Sequence, residues 1–543
     1  MLLHLKSKSA GQGPALSSIT KFAVKEVNSL DSNPVLVMKN ISKSFAGVKA
    51  NQNINLELRR GEVHALLGEN GAGKTTLMKI LYGLYKPDSG AIFVDGQNVT
   101  IQSPEQAIRL GIGMVHQHFM LIPPFTVWEN IILGSEPTKS FNRLDRETAL
   151  TKINQLSAEL GLKIDPEMKI EDISVGLQQR VEILKALYRE AEILILDEPT
   201  AVLTPQEAEE LGQILRMLVS RGKSVVFITH KLKEVKKFAD RITVIRHGQV
   251  VATVDCAEAT VSSLAELMVG RKVALEVEKK PSRVGEVVLK AEGLSAVDNR
   301  KLPALKEIDF EVRAGEILAF AGVDGNGQSE LIEVLTGLRP ATRGSLLLEN
   351  QAILNKTPRQ IINAGTAHIP EDRHRRGLIL DFTVWENLVL ETYRTREFCR
   401  NGVLKEKTCR SYAAKLIQEY DIRTPHANIA AAALSGGNQQ KIVVAREIRR
   451  NPKLLIVAQP TRGLDVGAIE FVHQQLIAAR AQGKAILLFS LELDEVLALA
   501  DRIAVIYEGE IVGVLPREKA NEENLGLMMT GSMRLSGKGA VTQ

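Results

Sequence analysis

Gly68-Glu69-Asn70-Gly71-Ala72-Gly73-Lys74-Thr75-Thr76 is the stretch that decides the fold. It fits the spacing G-x-x-x-x-G-K-[ST]. The apolar run Val63-His-Ala-Leu-Leu67 precedes it and reads as a buried strand. Leu77-Met-Lys-Ile-Leu-Tyr82 follows it and reads as a helix. Glycines without a β-carbon let backbone N–H groups turn inward around phosphate oxygens. The helix N-terminus adds partial positive charge. In such a loop Lys74 bridges the β- and γ-phosphates of a nucleotide, and the Thr75 hydroxyl ligates Mg²⁺.

Downstream, Ile193-Leu-Ile-Leu-Asp197-Glu198 is an apolar strand ending in two carboxylates. Alone, such a pair is commonly a solvated strand end. Beside a phosphate loop, Asp197 suits the Mg²⁺ shell and Glu198 suits polarising an attacking water. A third strand, Val225-Val-Phe-Ile228, ends at Thr229-His230, and His230 is placed to sense the γ-phosphate. Leu211, Ile214, Leu215 and Leu218 recur at helical spacing behind Thr204-Pro205. Strands alternating with helices predict an α/β fold with ligands at the carboxyl ends of the strands.

The chain is also a duplication. Phe125-Thr-Val-Trp-Glu-Asn130 recurs unchanged as Phe382-Thr-Val-Trp-Glu-Asn387, 257 residues later. Gly68 is echoed by Gly322 at an offset of 254, and Glu-Pro-Thr at 198–200 by Gln-Pro-Thr at 459–461 at 261. Ordered matches with a slowly growing offset indicate two homologous halves. They are expected at 34–270 and 285–535. A charged, Pro-containing linker is expected at 271–284, with tails at 1–33 and 536–543.

Composition limits the class. Of 543 residues, 44% are hydrophobic and 24% charged, which excludes disorder over most of the length. No run of 18 apolar residues supplies a spanning helix. The net charge of +5 contains no basic block that demands nucleic acid. Three cysteines form neither a disulfide framework nor a zinc site, as expected of a reducing compartment.

The order of phosphate loop, Gln117, a Ser-x-Gly-x-Gln segment, Asp-Glu-Pro-Thr and His resembles the nucleotide-binding domain of ABC (ATP-binding cassette) proteins, twice over. The resemblance implies two tandem P-loop domains, each with a mixed-sheet ATP-binding core and a helical subdomain. It implies that ATP is held by Phe45, stacked on adenine, and by Gly68, Asn70, Gly71, Ala72, Gly73, Lys74, Thr75 and Thr76. It makes Glu198, His230 and Gln117 catalytic, and Thr75, Gln117 and Asp197 the Mg²⁺ ligands. It also implies head-to-tail pairing, so that Ser435, Gly436 and Gly437 of the second half cap ATP held by the first. The helical region that contains the Trp128 hexapeptide would then face membrane subunits; packing in the core is the other reading, and the two are compatible.

The second half lacks this chemistry. Gln328 stands for the lysine, Ala458-Gln459 for the carboxylates and Leu491 for the histidine. Glu371 stands near the loop glutamine's position, and the first half's own signature, Ser174-Val-Gly-Leu177, is altered. One working site and one degenerate site are expected. The resemblance implies an importer ATPase on the cytoplasmic face of the cell membrane. It would be attached only through two transmembrane permease subunits, with an extracytoplasmic substrate-binding protein delivering solute. His116-Gln-His-Phe-Met-Leu121 and Ala458-Gln459 look most like the nucleoside branch. The alternatives are a simple-sugar importer and, more remotely, a soluble tandem translation factor.

Overall fold

The computed structural model describes residues 34–45, 48–117, 119–200, 203, 205–272, 279 and 283–535. The expected tails and most of the expected linker lie outside these residues. The chain divides into two compact units, with a boundary between Gly270 and Arg271. Two described residues of the expected linker dock on the second unit: Arg271 pairs with Glu470 at 2.8 Å and Lys279 with Asp501 at 2.6 Å.

In the first unit, Val63–Leu67 is buried at every position and lies inside a six-stranded sheet. The strands run in the order Gln249–Asp255, Arg241–Arg246, Val63–Leu67, Ser224–Thr229, Ile193–Asp197, Ile112–Val115. All neighbours are parallel except the Gln249–Asp255 edge strand. Continuous apolar runs are what a parallel sheet covered on both faces requires. Alternate residues divide between two cores. Ile193 and Ile195 pack with the helix Lys74–Leu81 and an antiparallel sheet that contains Pro34–Phe45 and Val48–Arg59. Leu194 and Leu196 pack on the helical part, with Trp128, Val181 and Leu187. Leu211, Ile214, Leu215 and Leu218 are buried on the helix Pro205–Ser220.

The second unit repeats the plan. Its six-stranded sheet runs Thr366–Ile369, Leu454–Ala458, Ala485–Phe489, Ile317–Ala321, Arg502–Tyr507, Glu510–Pro516. Again only the last pair is antiparallel.

The repeated hexapeptide has a packing explanation. Trp128 and Trp385 are buried, and the guanidiniums of Arg146 and Arg410 lie 5.4 and 4.8 Å from their rings. Thr126 and Glu129 close a capping box, as do Thr383 and Glu386. Asn130 is fully buried; it accepts from Ile122 N at 2.7 Å and donates to Ile122 O and Thr126 O. Asn387 accepts from Ile379 N and donates to Ile379 O, Phe382 O and Thr383 O. The motif is a core-and-clip device. Only its first residue, Phe125 or Phe382, is exposed.

Candidate functional site

The Lys74–Leu81 helix starts three residues earlier than its apolar run, at the loop lysine. The backbone before it needs glycine. Gly71 and Gly73 sit at φ 80° and 104°. A β-carbon on Gly73 would fall 2.3 Å from Ala50 O, and Asn51 Nδ2 donates to Gly73 O at 3.1 Å. Ala72 and Gly73 are buried, whereas Asn70, Gly71 and Thr75 are exposed. Lys74 is buried, and its Nζ donates to Gly68 O at 2.7 Å and Glu69 O at 3.0 Å. Burial draws its pKa down; Glu198, Asp197 and Glu69 act against that shift.

Asp197 ends its strand, buried, and the nearby Thr75 hydroxyl favours its ionised form. Burial and the adjacent Glu198 charge push its pKa up. Glu198 has left-handed backbone, φ 49°, rare for a side chain of its size. The turn brings three sequence-predicted residues together. Glu198 Oε1 lies 3.0 Å from His230 Nδ1, and Gln117 Nε2 donates to Glu198 Oε2 at 2.8 Å. The hydrogen bond to His230 is the largest influence holding Glu198 below the ordinary carboxylate range.

Phe45 ends the strand Pro34–Phe45 of the antiparallel sheet. Its ring meets Tyr85 edge-on at 5.1 Å, and the Lys43 ammonium lies 5.5 Å from it. Lys43 pairs across the hairpin with Asn51, the residue that bonds Gly73. Asn51 carries no motif signal. Neither does Glu234, whose Oε2 accepts from Thr200 Oγ1 at 2.6 Å and Thr229 Oγ1 at 3.2 Å. This carboxylate ties the loop after Glu198 to the end of the strand that presents His230.

The second unit keeps the backbone and changes the side chains. Gly325 and Gly327 sit at φ 84° and 104°, and Gln459 at 45°. Gln328 Nε2, in the lysine's place, is buried without a partner. Ser329 Oγ reaches Glu371 Oε2 at 3.5 Å. Gln459 Oε1 accepts from Leu491 N at 3.3 Å. Ser435, Gly436 and Gly437 begin the helix Gly436–Arg449, with Ser435 as its N-cap. Asn438, the residue that departs from the signature, donates from Nδ2 to Ser435 Oγ at 2.9 Å and accepts from Arg423 N at 2.8 Å.

No helix among the described residues is long and apolar enough to cross a membrane, and no group of three or more metal-binding side chains occurs among them. The ABC transporter family model matches residues 51–201 and 305–462. The guanosine import ATP-binding protein NupO of Bacillus subtilis is 54% identical, over 92% of this chain and 98% of that protein. The nucleoside import ATP-binding protein NupA of Lactococcus lactis is 52% identical, over 92% and 98%. The ribose import ATP-binding protein RbsA of Lactococcus lactis is 39% identical, over 91% and 99%. The chain belongs to the ABC transporter family and carries two of its ATPase domains in tandem.

Proposed function

We propose that the chain hydrolyses ATP in its first unit to drive nucleoside import through separate membrane subunits. The observation that carries the chemistry is the bonded set Gln117, Glu198 and His230 beside Lys74 and Asp197. The solute class rests on the nearly full-length likeness to guanosine and nucleoside importers, at 54% and 52% identity against 39% for the ribose importer.

In this reading the N–H groups of residues 68–76 and the Lys74 ammonium receive the phosphates, and Phe45 stacks on adenine. Glu198, kept ionised by His230, takes a proton as water attacks the γ-phosphorus and the bond to ADP breaks. Gln117 orients the carboxylate from the other side. Ser435, Gly436 and Gly437 supply hydroxyl and backbone donors to the same nucleotide. The donor set fits Mg²⁺: a hydroxyl, an amide and a buried carboxylate whose charge is unfavourable without a cation are hard oxygen ligands. Thr75, Asp197 and Gln117 would hold it, and the ion supplies charge neutralisation at the phosphates.

The permease subunits would engage the cleft lined by Tyr82, His116, Met120, Glu182, Lys185 and Arg189. Met120 N donates to Glu182 Oε1 at 2.8 Å and Lys185 Nζ donates to Met120 O at 3.2 Å, so the segment after Gln117 forms one wall. The chain would thus sit on the cytoplasmic face through its partners, with a binding protein outside. The test is uptake of labelled guanosine, adenosine and ribose in cells lacking the gene, complemented with wild type or Glu198→Gln. The expected result is loss of nucleoside uptake alone, restored only by wild type. Loss of ribose uptake alone reassigns the solute.

A further inference from the structure

The segment 371–377 of the second unit has no close counterpart in the first. Gln117 precedes Phe125 by 8 residues, whereas Glu371 precedes Phe382 by 11. The extra length forms a π-turn, Arg373–Gly377, capped by Asp372, which accepts from His374 N at 2.9 Å and Arg375 N at 3.1 Å. Such turns are rare and concentrate at functional sites.

The turn directs Arg373 inward. Its Nη1 donates to Arg462 O at 3.1 Å. Its Nη2 lies 2.7 Å from where a β-carbon on Gly436 would stand, and its Nε is buried without a partner. His374 Nε2 meets Gln439 Oε1 at 2.8 Å, one turn further along the same helix. One guanidinium therefore touches the start of the Gly436–Arg449 helix, the loop that carries Arg462, and the segment that begins at Glu371.

The duplication supplies a comparison within one chain. Two residues past Gln117 stands Phe119, and Gly436 corresponds to Val175. The unit without the arginine has a β-branched side chain where the other leaves room for it. A cation against the positive end of a helix also opposes the helix dipole, so the placement gains no stability from that dipole.

We propose that Arg373 is a positioning residue for ATP hydrolysis, holding residues 435–437 and the Arg462 carbonyl at a fixed separation. This rests on the reading that Ser435 to Gly437 contact ATP. One nitrogen of the planar guanidinium bonds the Arg462 carbonyl while another packs against the backbone at Gly436, a pair of contacts that a lysine cannot make at once.

The test is steady-state ATPase activity of the full chain as Arg373→Ala, Arg373→Lys, Gly436→Ala, the Arg373→Ala/Gly436→Ala pair and Ser435→Ala. Arg373→Ala is expected to raise KM for ATP about tenfold, the loss of a charged hydrogen bond, with a urea midpoint equal to wild type or higher. Lysine restores only part. A methyl on Gly436 displaces the guanidinium, so the double variant is no worse than the poorer single. A normal KM for Arg373→Ala, a lowered midpoint, or additive singles would overturn the proposal. If Ser435→Ala is impaired and Arg373→Ala is not, only the role of Arg373 falls. If Ser435→Ala is normal, the reading beneath it falls as well.

Discussion

Replacing Asn130 by alanine isolates the clip that the repeated hexapeptide places in each unit. The side chain is fully buried and makes three hydrogen bonds, at 2.7, 3.1 and 3.0 Å, to Ile122 N, Ile122 O and Thr126 O. At about 1 kcal/mol net for each bond, the loss is about 3 kcal/mol. Ile122 is only partly buried, so water recovers some of this and sets about 2 kcal/mol as the lower figure. The protein contains two tryptophans, one per unit, so Trp128 fluorescence in a Trp385→Phe background follows the first unit alone. With a urea slope of about 3 kcal/mol/M, Asn130→Ala should lower the midpoint by roughly 0.7–1 M. Asn130→Asp keeps the acceptor for Ile122 N but turns oxygen toward two carbonyls, so it should be at least as damaging. A midpoint shift under about 0.3 M, below 1 kcal/mol on the same slope, would show that the clip holds nothing, and the packing account of the motif would fail.

Three further outcomes are expected. Glu198→Gln should lower kcat by about 10²–10⁴ with ATP affinity retained, because an amide cannot accept the proton; normal turnover in a steady-state ATPase assay rules out its role as base. His230→Ala removes the main influence that depresses the Glu198 pKa. The carboxylate then protonates at higher pH, so the acid limb of the kcat–pH profile moves up, and an unmoved limb contradicts the coupling. Glu234→Ala unties Thr200 from Thr229 and should reduce kcat about tenfold, whereas Glu234→Gln, which keeps one acceptor oxygen, should recover most of it; equal activities in the two variants would discount the tie.

Much of the first unit was legible because its chemistry is local. The loop glycines, Lys74 and Thr75 are consecutive, and Asp197 and Glu198 end an apolar run that the sheet keeps as a strand. The degenerate side chains of the second unit were equally readable, since the duplication supplies the comparison. The clip function of the hexapeptide was not legible, because sequence alone left Trp128 divided between core and interface. Asn51, Glu234 and Arg373 were missed for another reason. Their partners lie 22, 34 and 89 residues away in sequence, at least for one bond each, and no spacing rule joins them. The left-handed turn at Glu198 was hidden too, since glutamate gives no hint of positive φ.

The order of the sheet has a consequence for synthesis. Val63–Leu67 pairs on one side with Ser224–Thr229 and on the other with Arg241–Arg246. The strand that feeds the phosphate loop therefore leaves the ribosome with neither neighbour yet made. It waits some 160 residues for the first, while the Asn130 clip closes over separations of 4 and 8 residues. Short-range contacts form early and distant strand pairing forms late. The helical corner should thus be ordered while the five residues of the central strand, four of them apolar, are still exposed, and the second unit, built on the same order, passes through the same interval again. Nascent chains halted before residue 224 are therefore expected to expose this strand and to aggregate more readily than chains released beyond residue 246.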